Sequence, residues 1–362
     1  MFNEFRNPQK AKILLEAIHK ITRHSWHIME ICGGQTHALA RYRIEPLLPK
    51  EIKLIHGPGC PVCVTPVSII DTAIQLALKN NVIFTSFGDM LRVPGSRHDL
   101  LEIKSRGADI RIVYSPLDAL RIASENPGHE IVFFGIGFET TAPIHALTIL
   151  EAYRKKIRNF SVLTSLFTVP QAITTIAQDK ECTLNGILAA GHVCAITGTS
   201  EYEKLAKHLK LSIAVTGFEP LDLLLGIYTC IDLLENREYT VKNAYRRIVA
   251  YDGNPKARQE IDEVFEICNR KWRGIGEIEK SGYQIRSKYE QYDALKRFNI
   301  KTDNKKEASS CQAGDIMKGK ITPMQCKQFG IYCTPEHPLG APMVLSLIHI
   351  SEPTRLQLIS YA

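Results

Sequence analysis

No apolar run in this chain is long enough to cross a membrane, and its first residues, Met1-Phe2-Asn3-Glu4-Phe5-Arg6, lack the hydrophobic core of a secretion signal. The expected location is the cytoplasm, with no membrane partner. A strong charge of either sign is also missing. The net value of +7 over 362 residues is spread along the chain, which suits an acidic partner weakly and does not argue for nucleic acid. Nor is there a phosphate-binding loop, a paired-glycine dinucleotide fingerprint or the serine elbow of a hydrolase. The common signatures of nucleotide-driven and serine-dependent chemistry are thereby excluded.

Cysteine is what the chain has in number. Ten cysteines in a reducing compartment do not read as a disulfide framework, so metal ligation, redox work and plain burial must divide them. Length allows two or three domains, and 44% apolar with 23% charged residues is ordinary for a globular protein. From residue 26 to 217 short, β-branched apolar runs alternate with amphipathic stretches such as Ser68–Lys79 and Glu201–Leu209. The runs are Trp26–Ile31, Ile52–His56, Val82–Phe87, Asp109–Ser115, Glu130–Gly137, Ser161–Phe167, Asn185–Gly191 and Ser212–Gly217. Continuous apolar character marks strands buried on both faces, and the alternation predicts parallel α/β sheets covered by helices.

The breaker Asn126-Pro127-Gly128-His129 and the recurrence of Gly-Phe-Glu at 137–139 and 217–219 divide this part into two similar doubly wound α/β lobes, 15–125 and 126–235, around a cleft. After residue 235 the strand pattern stops. Tyr239–Tyr251, Pro255–Arg270 and Ser287–Phe298 read as helices, and Lys301–Ser309 as an exposed linker. Residues 236–344 are expected to form a mostly helical third domain, with 1–14 packing on it.

Chemistry gathers where the strands end, the edge of an open α/β sheet that lines a ligand crevice. Cys60 and Cys63 lie in His56-Gly57-Pro58-Gly59-Cys60-Pro61-Val62-Cys63-Val64-Thr65-Pro66, with Thr65 read as the N-cap of the next helix and Pro66 as its first residue. Two thiols held in this spacing suit disulfide exchange or a soft metal. Half of a structural zinc site, or two buried small residues, are the alternatives. Cys32, after a strand and before a helix, could be a nucleophile, an iron ligand or a buried thiol, and its capping position predicts a lowered pKa. His37 beside it, Glu139, His192 and Glu219 are further cleft candidates. Cys311, Cys326 and Cys333, unevenly spaced in a Gly/Pro-containing segment, suit a zinc or iron–sulfur site but number only three. Cys182, Cys230 and Cys268 read as buried.

Several motifs together resemble the HypD family of [NiFe]-hydrogenase maturation proteins. They are Cys-Gly-Gly-Gln-Thr-His at 32–37, Gly-Pro-Gly-Cys-Pro-Val-Cys-Val-Thr-Pro at 57–66, Phe-Gly-Asp-Met-Leu-Arg-Val-Pro-Gly-Ser at 87–96 and Gly-Ile-Gly-Phe-Glu-Thr-Thr-Ala-Pro at 135–143. Gly-His-Val-Cys-Ala-Ile-Thr-Gly at 191–198, Gly-Phe-Glu-Pro-Leu-Asp at 217–222 and Trp-Arg-Gly-Ile-Gly at 272–276 extend the likeness to about Val344. The resemblance implies an assembly scaffold rather than a turnover enzyme. With a small HypC-type chaperone it would hold iron while the Fe(CN)2CO unit is built, and a HypE-type protein would donate cyanide.

On that likeness Cys32 is the iron ligand, Cys60 and Cys63 are the redox pair, and Cys311, Cys326 and Cys333 belong to a [4Fe-4S] site. The family's fourth cysteine, after sixteen further residues, would fall at Ile350. From Leu345 the sequence departs from the family, and 345–362 is read as a non-native tail that costs the cluster its fourth ligand. A free-standing iron–sulfur thiol oxidoreductase and a structural zinc protein remain as rival functions. The chain alone is expected to be a monomer.

Overall fold

All eight strands expected from apolar runs form, together with three that no such run marks. The computed structural model describes residues 2–301 and 310–344. The strands are β1 (Trp26–Glu30), β2 (Ile52–His56), β3 (Val82–Ser86), β4 (Ile110–Ile112), β5 (Glu130–Gly137), β6 (Phe160–Phe167), β7 (Gly186–Ala190), β8 (Ser212–Thr216), β9 (Val241–Asn243), β10 (Phe265–Trp272) and β11 (Gly276–Ile285). One sheet has the order β2-β1-β7-β8-β9, parallel throughout. The other runs β4-β3-β5-β6-β11-β10, with parallel β3 to β6 extended by an antiparallel hairpin.

Each sheet is buried on both sides because neighbouring residues of one strand enter different cores. In the first sheet Ile28, Leu188 and Ala214 face one core while Met29, Ile187 and Ile213 face the opposite one. In the second, Phe84, Val132 and Phe134 pack on one side, and Ile83, Ile131 and Phe133 on the other. Full burial of such a side chain stabilises by about 1.5–3 kcal/mol, which explains the nearly unbroken apolar strands.

Both sheets share a wiring in which the chain starts in the middle, steps to one edge and returns across the starting strand. The two similar α/β lobes are therefore real, but they are not the contiguous segments 15–125 and 126–235. The chain builds β1 and β2, leaves to form β3 to β6, and comes back for β7 to β9.

The region after residue 235 also needs correction. Pro255–Val264 is helical, but the expected helix ends there because residues from Phe265 onward pair as the β10–β11 hairpin. Tyr239–Tyr251 holds the short strand β9, and Ser287–Phe298 is a 3-10 turn, Ser287–Tyr292, followed by the helix Ala294–Arg297. The third region is thus not mostly helical, and part of it completes the second sheet. The N-terminal helix Pro8–Ile21 packs against the helix Pro220–Glu235 of the first lobe, not on the C-terminal segment. The tail 345–362 and most of the linker, 302–309, lie outside the described residues.

Candidate functional site

In the first sheet the wiring reverses direction between β1 and β7, and at such a point the loops leaving the strands part and open a crevice. Cys32 follows β1 and His192 follows β7, so the two face each other there, Cys32 Sγ lying 3.7 Å from His192 Nε2. Cys32 is the N-cap of the helix Gly33–Arg41, and its sulfur accepts the Gly34 N–H at 3.3 Å. Behind it, the Cys32 N–H donates to the Glu30 carboxylate at 2.9 Å. The ring of Phe218, from the loop after β8, lies against His192 at 4.8 Å and completes the wall.

The expected lowering of the Cys32 pKa does not occur. Burial, with the Glu30 carboxylate adding to it, pushes this thiol up to about 12 against two helpful backbone N–H groups. Burial also brings His192 down to about 4, which leaves a neutral imidazole. At neutral pH the pair is an uncharged thiol beside an uncharged acceptor. A soft cation arriving there would displace one proton.

The dithiol loop is bonded directly to the Cys32 turn. The Gly33 N–H donates to Gly59 O at 3.1 Å, and the Gly57 N–H to Glu30 O at 2.9 Å. Cys60 caps a four-residue helix, Pro61–Val64, so Thr65 follows that helix and Pro66, not Thr65, caps the helix Val67–Ala77. Cys60 Sγ accepts the Cys63 N–H at 3.2 Å and the Cys63 thiol at 2.7 Å. A disulfide bond is about 2.05 Å long, so closing it requires little movement. Cys63 is no readily ionised thiol: burial and the neighbouring Cys60 raise its pKa, although the Arg273 guanidinium works the other way.

The loop also joins the lobes. Thr65 and Ser165 share a hydrogen bond of 3.1 Å, and the Arg273 N–H donates to Val64 O at 2.8 Å. A cleft of about 830 Å³ beside it has Cys63, Arg273 and Cys311 in its wall.

The remaining candidates divide. His37 is exposed on the helix Gly33–Arg41, and the imidazole that meets Cys32 is His192 instead. Glu219 caps the helix Pro220–Glu235, and its carboxylate is taken by Arg6, which holds it below its ordinary pKa. Glu139 is 2% exposed; one oxygen accepts the Val169 N–H at 2.8 Å and the other has no partner.

Burial raises Glu139 from its ordinary 4.5 to about 7. Between those values the folded chain keeps a proton that the unfolded chain has released, so stability falls as pH rises through this window. The contribution is fully present below 4.5 and lost above 7, a change of about 3 kcal/mol. Denaturant unfolding at pH 5 and pH 8 should show this loss in the wild type and not in Glu139→Gln. Equal slopes in both would remove the buried carboxyl as its cause.

Cys311, Cys326 and Cys333 line one small pocket with Phe329, Leu339 and Met343. Thiols are suitable donors for an iron–sulfur cluster, but among the described residues no group of three metal-ligating side chains is close enough to hold one ion. Three thiols also leave a four-iron cluster one ligand short. The arrangement does not complete the set, and Ile350 and His349 lie outside the described residues. Of the other cysteines, Cys194 and Cys230 are buried while Cys182 and Cys268 are half-buried.

Sequence reasoning passed over Glu30, His56 and Arg273. Glu30 is fully buried and binds the Cys32 N–H, the Thr36 hydroxyl and, at 2.9 Å, His56 Nδ1. A lone carboxylate inside the apolar run Ile28-Met29-Glu30-Ile31 was the available signal, since a buried charge needs partners.

Known proteins resemble the chain over nearly its whole length. Residues 9–346 match the model of a family described as "HypD: Hydrogenase formation hypA family". The chain is 43% identical over 356 residues to the hydrogenase maturation factor HypD of Rhodobacter capsulatus, covering 95% of this chain and 94% of that protein. It is 39% identical over 352 residues to the HypD of Escherichia coli K12, with 95% and 94% covered.

Proposed function

The chain belongs to the HypD family of hydrogenase maturation factors, and on that premise we propose that it is the scaffold holding iron while the Fe(CN)2CO group of a [NiFe] site is assembled. The observation that carries this reading is a buried thiol, Cys32, at the switch point of a parallel sheet, with a dithiol loop hydrogen-bonded to the same turn. Iron and its ligands are cargo here, and the chain's part is to grip and reduce.

Cys32, once ionised, gives iron a soft anionic ligand suited to low-spin Fe(II) carrying cyanide and CO. His192 stands ready at Nε2 to take the displaced thiol proton. A HypC-type chaperone would supply a thiol from the other side, and a HypE-type protein the cyanide. Cys60 and Cys63, on the loop hydrogen-bonded to the Cys32 turn, are proposed as a redox-active dithiol that closes to a disulfide when an acceptor takes two electrons and two protons. Cys311, Cys326 and Cys333 are proposed as part of a [4Fe-4S] site that would feed electrons when complete. Among the described residues their pocket contains no fourth thiol.

Infrared spectroscopy of the complex purified anaerobically with a small HypC-type partner tests the reading. Cyanide and CO stretching bands are expected. Their absence, together with turnover of a small thiol or disulfide by the chain alone, would replace the scaffold with an oxidoreductase. Zinc bound in stoichiometric amount without redox activity would replace both.

A further inference from the structure

Glu30, fully buried, and His56, half-buried, form a pair that the iron-holding reading does not use. His56 ends β2, immediately before the dithiol loop, and its Nδ1 is tied to Glu30 Oε1 at 2.9 Å. Glu30 is held by two further bonds, from the Cys32 N–H and the Thr36 hydroxyl, so it cannot swing away. The imidazole is 18% exposed, and it lines a small pocket together with Thr36, Cys60 and Cys63. Among the described residues of the C-terminal segment, only apolar groups reach that pocket, chiefly Ala313, Ile316 and Met317.

We propose that His56, oriented by Glu30, is the proton-transfer partner of Cys60 in thiol–disulfide exchange. This inference rests on the redox reading of the Cys60–Cys63 pair. A carboxylate on one imidazole nitrogen fixes the tautomer with the proton at Nδ1 and makes Nε2 the base. That free nitrogen belongs to the ring edge facing away from Glu30. Cys60 is the partner because it lines the same pocket as His56 and its sulfur accepts the Cys63 N–H, a bond that steadies the thiolate once the proton has left.

The charged groups acting on His56 are Glu30 and Glu45, and they reverse the lowering that burial alone would cause. A more basic imidazole is a better acceptor for a thiol proton.

With a small-molecule disulfide as oxidant the step balances. Cys60 gives its proton to His56 Nε2, its sulfur attacks one sulfur of the disulfide, and the S–S bond of the small molecule breaks. The departing thiolate recovers the proton from Nε2. Cys63 then attacks the Cys60 sulfur, releasing the second small thiol with the Cys63 proton. Two electrons have passed from the dithiol to the small disulfide, which leaves as two thiols.

The test follows Cys60 by mass spectrometry of its peptide during reaction of the full chain with 2,2′-dithiodipyridine from pH 5 to pH 10. The wild-type rate should show an inflection at the titration of His56 and a second rise where the thiol itself ionises. His56→Gln should lose the first inflection and slow by about 10- to 100-fold at pH 7, yet match the wild type at pH 10, where no base is needed. A merely structural role would change the rate equally at every pH. If His56→Gln misfolds, exposing all ten thiols at once, Glu30→Gln provides the second reading, because its inflection should move to lower pH. An unchanged inflection in a folded variant overturns the role of His56 alone. A wild-type Cys60 that does not exchange at any pH overturns the redox reading and this inference with it.

Discussion

A Cys32→Ala chain, purified anaerobically with the proposed HypC-type chaperone, should carry no cyanide or CO stretching bands and should retain at least about 100-fold less iron than the wild type. Cys32 supplies a thiolate, a strong soft-metal ligand, at the crevice, and without it the neighbouring His192 offers a single neutral nitrogen. Cys32→Ser should behave like the alanine variant, since a buried hydroxyl ionises far less readily than even this raised thiol.

Binding must also depend on pH in a defined direction. The free thiol titrates only at about 12, so capture of the metal releases one proton, and apparent affinity should rise about tenfold per pH unit across the neutral range. The fold should survive, because the change removes one sulfur atom from the edge of a core. Loss of iron together with loss of the thermal unfolding transition would instead assign Cys32 a packing role. Bands that persist in folded Cys32→Ala would move the iron to another ligand.

The parts of this architecture that were legible in the sequence are those where burial alone dictates the residue. β5 and β6 are covered on both faces, so apolar side chains fall on both, interrupted in β6 only by the small polar Ser161, Thr164 and Ser165, and their limits could be read almost to the residue. The hairpin β10–β11 was hidden because one side faces solvent. Glu266, Asn269 and Lys271 on β10, with Glu277, Glu279 and Lys280 on β11, break the apolar run, and the helix Pro255–Val264 runs straight into it.

Which strands share a sheet was not legible at all. Periodicity reports burial, and β2 and β3 look alike although they belong to different lobes. At the site the same limit applies. His37 is near Cys32 along the chain, whereas His192, 160 residues away, is near it in space. The thiol pKa went wrong for an energetic reason. Cys32 does cap its helix, but loss of solvent outweighs two backbone hydrogen bonds at a residue only 6% exposed.

Gly59→Ala should be among the most damaging single-methyl additions in the protein, lowering stability by about 3 kcal/mol or more and slowing Cys60 exchange at every pH. The glycine is not there for its backbone freedom, since its φ is outside the left-handed region. What excludes a side chain is volume. A β-carbon at 59 would lie closer than 3.0 Å to Cys32 N and to the carbonyl of Ile31, which are backbone atoms at the end of a fully paired strand. Neither can rotate aside as a side chain would, so the loop itself must lift.

Lifting it breaks the Gly33 N–H to Gly59 O bond, the link that fixes the dithiol against the Cys32 turn. Gly34→Ala supplies the control, because its added carbon meets the Phe218 ring at 3.3 Å, which can yield by a few tenths of an ångström, and Cys32 Sγ at 3.5 Å, an ordinary van der Waals contact. Denaturant unfolding should place Gly34→Ala within about 1 kcal/mol of the wild type and Gly59→Ala well below it. Equal stability of the two variants would mean that the loop is not held against β1 as closely as its hydrogen bonds imply. The distance between Cys32, proposed to grip the metal, and the Cys60–Cys63 pair, proposed to supply electrons, is therefore set by the missing side chain of Gly59.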